Sequence, residues 1–496
     1  MVRPTPPALH SIGIAELDHV LGGGLTPNRM YMVEGVPGSG KTTLGLQYLM
    51  AGVAAGESTL YVTLSESEAE VRAIADSHGW DFRGLNIVEI IPDETHLTAE
   101  EQYTVFAPSE VELNQTLQGI IAAIERYQPS RVVLDSLSEL RLLAGSPLRY
   151  RRQILGLKQY FAGRRCTVLL LDDRTATADD PQAQSIAHGI ISLDQWVPAY
   201  GGIRRRVRIV KYRGMTFIGG LHDCRIDRGG LRVFPRLVRA DRPAAANVDG
   251  TLQSDVPSLD QLLGGGLERG TSTLLVGAPG TGKSTLAAVF VAAALARGER
   301  AGMFLFDESI ATLCKRMAGM GIDLAGPAAS GQLHLQQINP AELSPGEFAS
   351  TVVEVGSRER TTVIVIDSLN GYLNAMPDDK VLNLQLHEML SVLSDAGIAT
   401  VMVNVQQGLI GAGMKTTVDA SYLADTVVAL RYFESRGVVR QAVSVIKKRS
   451  GAHERTIREY GIDSRGIHVG PPLRDFHGIL TGVPTFLGSA RAENDD

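Results

Sequence analysis

The sequence predicts an α/β fold made twice: two tandem domains, each a mostly parallel sheet flanked by helices and ending in a hairpin. Three observations predict it. The first is a repeat, since Leu17-Asp18-His19-Val20-Leu21-Gly22-Gly23-Gly24-Leu25 returns 242 residues later as Leu259-Asp260-Gln261-Leu262-Leu263-Gly264-Gly265-Gly266-Leu267. The second is that Gly35-Val36-Pro37-Gly38-Ser39-Gly40-Lys41-Thr42-Thr43 returns at the same offset as Gly277-Ala278-Pro279-Gly280-Thr281-Gly282-Lys283-Ser284-Thr285. The third is short continuous apolar runs alternating with helical stretches, the pattern of a parallel sheet buried on both faces. A repeat of this length is a duplicated domain rather than a solenoid unit, so the 496 residues divide into halves of roughly 240.

The elements follow in order. In the first half Arg29 to Glu34 reads as a strand, the glycine-rich loop follows, and a helix runs from about Thr42 to Ala54. Thr59 to Leu64 is a second strand, and Arg131 to Leu134 and Thr167 to Leu171 are β-rich runs bounded by polar residues. Ser192 to Ala199 and Ile203 to Tyr212 form a hairpin around Tyr200-Gly201-Gly202. Arg239 to Asn247 is polar, Ala/Pro-rich and aperiodic, and reads as a linker. The expected divisions are 1–240, a linker at 241–250, 251–482, and a short acidic tail at 483–496. The second half offers strands at Ser272 to Val276, Ala301 to Phe306, Thr361 to Ile366 and Thr400 to Val405. Its hairpin joins Val427 to Phe433 with Val438 to Ile446 through Glu434-Ser435-Arg436-Gly437.

Composition narrows the classes. With 44% hydrophobic and 21% charged residues the chain can bury two full cores, which excludes global disorder. The net charge of −6 argues against a dedicated nucleic-acid binder. Cys166, Cys224 and Cys314 are scattered and odd in number, which suits neither a disulfide framework nor a zinc ribbon. No apolar run reaches the roughly 18 residues of a membrane span, and Met1 to Pro7 lacks the apolar core of a signal peptide. A cytoplasmic protein is expected.

G-x-x-x-x-G-K-[ST] between a strand and a helix is the phosphate-binding loop. Its backbone N–H groups wrap phosphate oxygens, and the helix N-terminus adds favourable charge. Gly38, Ser39, Gly40, Lys41, Thr42 and Thr43 form the first loop, and Gly280, Thr281, Gly282, Lys283, Ser284 and Thr285 the second. Lys41 and Lys283 would reach the β- and γ-phosphates, while Thr42 and Ser284 would place hydroxyls on Mg²⁺. ATP and Mg²⁺ are therefore the expected ligands. Asp135 and Asp367, each ending an apolar strand, are the expected metal partners, probed against the plainer reading of an ordinary strand-end acid. Hydrolysis also needs a group that orients or deprotonates water. Glu66 lies 25 residues after Lys41 and Glu308 lies 25 after Lys283, both just past the second strand. Glu308 follows Asp307, whereas Glu66 follows Ser65. Basic clusters close the hairpins: Lys211-Tyr212-Arg213-Gly214 and Lys447-Lys448-Arg449-Ser450. They read either as solvated edges or as arginine-finger contacts to a neighbouring subunit's γ-phosphate.

These residues, with Ser77-His78-Gly79-Trp80-Asp81 and the run Lys447 to Tyr460, resemble the KaiC family of tandem RecA-like ATPases across nearly the whole chain. The resemblance implies a homohexameric double ring with ATP between subunits. It implies nucleotide contacts from Ser77, and contacts in trans from Lys211, Arg213, Lys447, Arg449 and His453. Glu66 and Glu308 match the family's catalytic carboxylates. In the clock-type members the second domain also phosphorylates itself on adjacent Ser and Thr residues. Here that pair is Ser421-Tyr422, so Ser421 is the expected acceptor, with Thr416 and Thr417 in reserve. The tail is shorter than the activator-binding peptide of the clock member, and Phe217 stands where the family has a His. Three readings are thus carried forward. The first is an ATP-hydrolysing hexamer with serine autokinase activity and a timing or signalling role, open to a regulatory protein partner. The second is a DNA-dependent motor, weakened because Gly408 to Met414 holds no Lys or Arg. The third is a scaffold assembled by ATP.

Overall fold

The computed structural model describes residues 8–90, 108–174, 181–198, 200–238, 250–374, 382–406, 421–479 and 485–486. The linker at 241–249, the loop Gly408 to Met414, and Thr416 and Thr417 lie outside the described residues, as does nearly all of the tail. The chain forms two compact units, Met1–Arg236 and Leu237–Asp496.

The first unit begins with α1 (Ala15–Val20), β1 (Met30–Gly35), α2 (Lys41–Ala54), β2 (Thr59–Thr63), α3 (Glu68–His78) and β3 (Leu85–Glu89). It continues through α4 (Pro108–Tyr127), β4 (Arg131–Asp135), α5 (Leu137–Ala144), α6 (Pro147–Ala162), β5 (Thr167–Asp173) and α7 (Pro181–Ile186). It ends in β6 (Gly189–Trp196), β7 (Arg204–Tyr212), β8 (His222–Asp227) and β9 (Gly230–Phe234). The strands form one sheet in the order β3-β2-β4-β5-β1-β6-β7-β8-β9, parallel through β6 and antiparallel beyond it.

The second unit opens with the two-residue strands β10 (Thr251–Leu252) and β11 (Leu267–Glu268) around α8 (Pro257–Leu262). Then come β12 (Ser272–Gly277), α9 (Lys283–Ala296), β13 (Arg300–Leu305), α10 (Ile310–Ala318), α11 (Ala325–Ser330) and β14 (Leu333–Gln337). They are followed by α12 (Pro345–Ser357), β15 (Thr361–Asp367), α13 (Leu369–Asn374), α14 (Leu382–Asp395) and β16 (Ala399–Val405). Strands β17 (Thr426–Ser435), β18 (Val438–Lys448), β19 (Arg458–Asp463) and β20 (Gly466–Pro472) complete a sheet of order β14-β13-β15-β16-β12-β17-β18-β19-β20. The two orders correspond strand for strand, so each unit is a RecA-like α/β domain.

Strand alternation explains why the apolar runs are continuous. Tyr31 and Val33 face one core layer with α2, while Met30 and Met32 face the other with α4, α5 and α6. In the second unit Leu275 packs toward α9, and Leu274 and Val276 toward α12 and α14.

Two expectations need correction at their edges. The first hairpin strand is Gly189–Trp196 rather than Ser192 to Ala199, because Gly189 to Leu193 pair with β1 in the sheet. The edge strands β3 and β14, and the antiparallel additions β8, β9, β19 and β20, lie beyond the strands read from the sequence. Half-exposed edge positions carry no continuous apolar run, as the residues Leu85-Asn86-Ile87-Val88-Glu89 illustrate.

One buried cation ties the first unit together. Arg131, 3% exposed at the start of β4, pairs with Glu57 and donates to Ser11 O and Tyr48 O. It also lies over the Tyr48 ring. Removing it leaves Glu57 with only the Ser130 hydroxyl and takes the guanidinium donor from two carbonyls. Arg131→Leu is expected to cost about 3 kcal/mol. Urea unfolding followed by tryptophan fluorescence checks this, because the chain's two tryptophans, Trp80 and Trp196, both belong to the first unit.

Candidate active sites

Each phosphate loop starts where the central strand ends. Gly35 and Gly277 close β1 and β12, and the next residues turn into helices capped by Gly40 and Gly282 in the left-handed region, at φ 105° and 90°. A Cβ on Gly282 would also strike Ile462 of β19. Neither helix has a side-chain N-cap, so backbone N–H groups face the loop as an anion site requires.

The parallel register brings the acids to the same edge. Asp135 stands level with Thr63 and Leu171, and Asp367 with Leu305 and Val403. In the first unit Thr42 Oγ1 donates to Asp135 Oδ2 at 2.7 Å, and Tyr61 donates to the same oxygen at 2.6 Å. Burial pushes the Asp135 pKa up from its ordinary value, and those two bonds pull against the rise. In the second unit Ser284 donates to Asp367, whose carboxyl burial pushes up to about 6. Asp367 Oδ2 is buried with no hydrogen-bond partner among the described residues. A hydroxyl and one carboxylate fit Mg²⁺, which keeps water and takes further ligands from phosphates. Among the described residues no cluster of three His, Cys, Asp or Glu side chains could hold a metal alone.

The candidate bases differ between units. Glu66 is held by its backbone, which exchanges bonds with Thr63 Oγ1 at 2.7 and 2.9 Å. Its Oε2 is buried and unpartnered among the described residues. Burial raises its pKa, and Asp135, Glu70 and Asp173 add to the rise, which suits a base that must take a proton. Glu308 is instead clamped by Arg316, which donates to Oε1 at 3.3 Å and Oε2 at 2.6 Å. Arg316 also donates to Thr285 Oγ1, so one guanidinium ties base and loop together. Asp307, the acid before Glu308, accepts from Ser368 at 2.5 Å. Gly282, Lys283, Ser284, Glu308, Arg316 and Asp367 line a cavity of about 700 Å³, roofed by Ile462, Asp463 and Ser464.

The lysines differ too. Lys283 donates to Ala278 O at 2.7 Å, and burial lowers its pKa to about 8 against the pull of Asp367. Lys41 donates to Gly35 O at 3.0 Å and Val36 O at 3.1 Å, and pairs with Asp173 at 2.5 Å.

The basic clusters sit elsewhere. Lys211 is opposite Ile190 and Lys447 opposite Val427, near the starts of β6 and β17 and away from the loop end. Lys211 donates to Gln184 O and Arg213 to Ser185 O. Lys447 donates to Ser421 O and Ala424 O, and Arg449 to Asp425 and Tyr422 O. His453 lies on a segment that crosses the Gly264 turn, where Gly264, at φ 74°, touches the Ala452 carbonyl. That contact explains why the triple-glycine motif recurs: a side chain there would push this segment off. Ser77 lies in the last turn of α3 with its hydroxyl on Ile74 O, while Gly319, 242 residues on, lines the second cavity.

Asp173, Arg316 and the β19 roof escaped sequence reasoning. Glu66 and Glu308 are 242 apart but Asp135 and Asp367 only 232, so a fixed offset cannot align Asp173 with its counterpart Val405. Arg316 lies on α10, which begins just after Glu308, so the chain brings the guanidinium back to that carboxylate across eight residues.

Two phosphate loops on paired RecA-like sheets, each with a strand-end acid and a carboxylate beyond the second strand, define a tandem P-loop ATPase. The KaiC ATPase family model matches residues 10–238 and 252–474. The chain belongs to that family. It is 25% identical over 487 residues to the circadian clock protein KaiC3 of Synechocystis sp. (strain ATCC 27184 / PCC 6803 / Kazusa), covering 97% of this chain and 95% of that protein. It is 28% identical over 484 residues to the circadian clock oscillator protein KaiC of Picosynechococcus sp., covering 95% and 91%. The KaiC of Thermosynechococcus vestitus is 27% identical over 484 residues, again covering 95% and 91%. Among the described residues no helix is long and apolar enough to cross a membrane.

Arg316→Ala tests the clamp. The pair is partly exposed, so stability should fall by about 1 kcal/mol or less. Phosphate release from the second unit should fall roughly 10–100-fold, because a base displaced by an ångström loses its geometry. The rate is measured in a Glu66→Gln background, and an unchanged rate would remove Arg316 from the site.

Proposed function

We propose that the protein binds ATP with Mg²⁺ in both units, hydrolyses it, and assembles as a homohexameric double ring with nucleotide between subunits. The two ATPase domains are residues 1–240 and 251–482, joined by the 241–250 linker and followed by the short tail at 483–496. The second domain also transfers phosphate to Ser421, and slow turnover in the rings serves a timing or signalling role in the cytoplasm, read out by a regulatory protein partner. The relatives named as circadian clock proteins support that last step.

One observation carries the reading. Lys447 and Arg449 lie near the start of β17, whereas the phosphate loop follows the end of β12. Leu274 is level with Val427 and Gly277 with Leu430, so about 10 Å of strand separates the two levels, and the basic side chains bond backbone on the far side. Such residues serve a nucleotide by reaching a neighbour's. Ser421 shares their edge, through its carbonyl bond to Lys447, so a neighbour's phosphate is also the one within its reach. Lys211 and Arg213 repeat the arrangement in the first unit.

The chemistry at the second site needs few parts. Ser284 and Asp367 would hold Mg²⁺, which neutralises phosphate charge and orients the transferring group when bound. Lys283 stabilises charge on the phosphates. Glu308 takes the proton as a water or Ser421 oxygen bonds to the γ-phosphorus and the bond to the bridging oxygen breaks, releasing ADP. The neighbour's Arg449 and Lys447 balance charge in the transition state. The first site works alike through Lys41, Thr42, Asp135 and Glu66, with Ser77 at the nucleotide edge.

Glu308→Gln should abolish phosphate incorporation while leaving assembly intact, because the amide keeps the shape and loses the basic oxygen. Phosphopeptide mass spectrometry and size-exclusion mass with and without ATP check the two halves. Phosphorylated Ser421 in this variant removes Glu308 from the role, and a chain that stays monomeric with ATP overturns the ring.

A further inference from the structure

The two phosphate loops differ at one strand position. On β5 the residue level with Gly35 is Asp173, and on β16 the residue level with Gly277 is Val405. The register therefore delivers a carboxylate to the root of the first loop and a methyl-bearing side chain to the root of the second. Asp173 Oδ1 lies 2.5 Å from Lys41 Nζ, and Ser138 Oγ donates to Asp173 Oδ2 at 3.1 Å, holding the carboxylate in that direction.

An ammonium has three N–H donors. Gly35 O, Val36 O and Asp173 take all three of Lys41's. A phosphate-loop lysine serves the β- and γ-phosphates, so a triphosphate asks for donors that are already committed. A diphosphate asks for fewer, and leaves the Lys41–Asp173 pair in place. The carboxylate also meets the γ-phosphate as a like charge at short range. It is 30% exposed, so it can be displaced, at a cost that the Val405 site does not carry.

We propose that Asp173 is an internal competitor with the γ-phosphate for Lys41, so that the first unit discriminates against nucleoside triphosphate relative to diphosphate and the second does not. Asp173 acts through Lys41 as a positioning and specificity residue. The inference rests on the proposed nucleotide binding at both loops.

The full-length protein provides the test with Mg²⁺ and N-methylanthraniloyl derivatives of ADP and of the non-hydrolysable analogue AMP-PNP. Trp80 and Trp196 both lie in the first unit, so energy transfer from tryptophan reports that site. Asp173→Asn should tighten the triphosphate analogue roughly tenfold and change the diphosphate by much less, lowering the ratio of their dissociation constants. A merely structural role would shift both together. Val405→Asp should raise the ratio at the second site, read by calorimetry as weakening of one equivalent of AMP-PNP. An unchanged ratio in Asp173→Asn, with its circular dichroism intact, overturns the proposal. If that variant does not fold, an unchanged ratio in Val405→Asp overturns it instead. Wild-type protein that binds neither derivative at the first site would sink the nucleotide-binding reading itself, which is a different result.

Discussion

A cation buried at the root of a helix is unfavourable unless oxygens satisfy it, and both sites are organised by that constraint. Lys41 and Lys283 are only 7% and 5% exposed. Loop carbonyls from Gly35, Val36 and Ala278 turn toward them, which the left-handed glycines permit. The strand-end acids Asp135 and Asp367 are buried on the same edge, where isolated carboxylates would also be unfavourable. Cation and anion are therefore burdens that each makes tolerable in the other. The core follows from this: α2 and α9 must be pinned against the sheet to keep the cation in place, so their faces are packed with Leu, Ala, Tyr and Phe.

The same sheet separates two kinds of basic residue. Those in the loops, Lys41 and Lys283, are buried against carbonyls of their own loop. Those at the hairpin roots lie near the opposite edge and are anchored on carbonyls such as Ser185, Ala424 and Tyr422. An anchored cation has a fixed direction and loses little further entropy when an anion arrives. The Gly264 turn supports this arrangement, since Lys448 donates to Leu263 O and Glu454 N to Leu262 O, fixing the segment that carries Arg449 and His453. The triple-glycine motif and the basic run, far apart in the chain, are one structural device.

The duplication, the loops and the buried strands were legible because each has a local cause. Gly38 and Gly40 are needed by backbone angle, and Val132-Val133-Leu134 by burial on both faces. What escaped had a non-local cause. Strand β3 is half exposed, so its pattern is weak, and β19 roofs the cavity through Ile462, whose role depends on a partner 180 residues away. Asp173 reads in sequence as one of two acids ending a strand. Only the register of β5 against β1 shows that it, and not Asp172, faces Lys41. Asp172 turns to Arg141.

Asp172 and Asp173 also bear on how the units diverged. The second site carries Asp307, Glu308 and Asp367; the first has Ser65 in place of Asp307 and gains Asp173 where the second has Val405. Each cradle thus has three carboxylates, differently placed. In the second, two follow β13 and one of them is locked by Arg316, whose counterpart in the first unit is Ile74. In the first, one follows β2 with an oxygen unpaired among the described residues, and the extra acid lies against the lysine. An acid beside the lysine in the first unit, in place of one after the second strand, leaves the number of carboxylates in the two cradles equal. That placement changes which ligand group the acid opposes. Duplicated domains can in this way keep one fold and one cradle while the two sites come to respond differently to the same nucleotide.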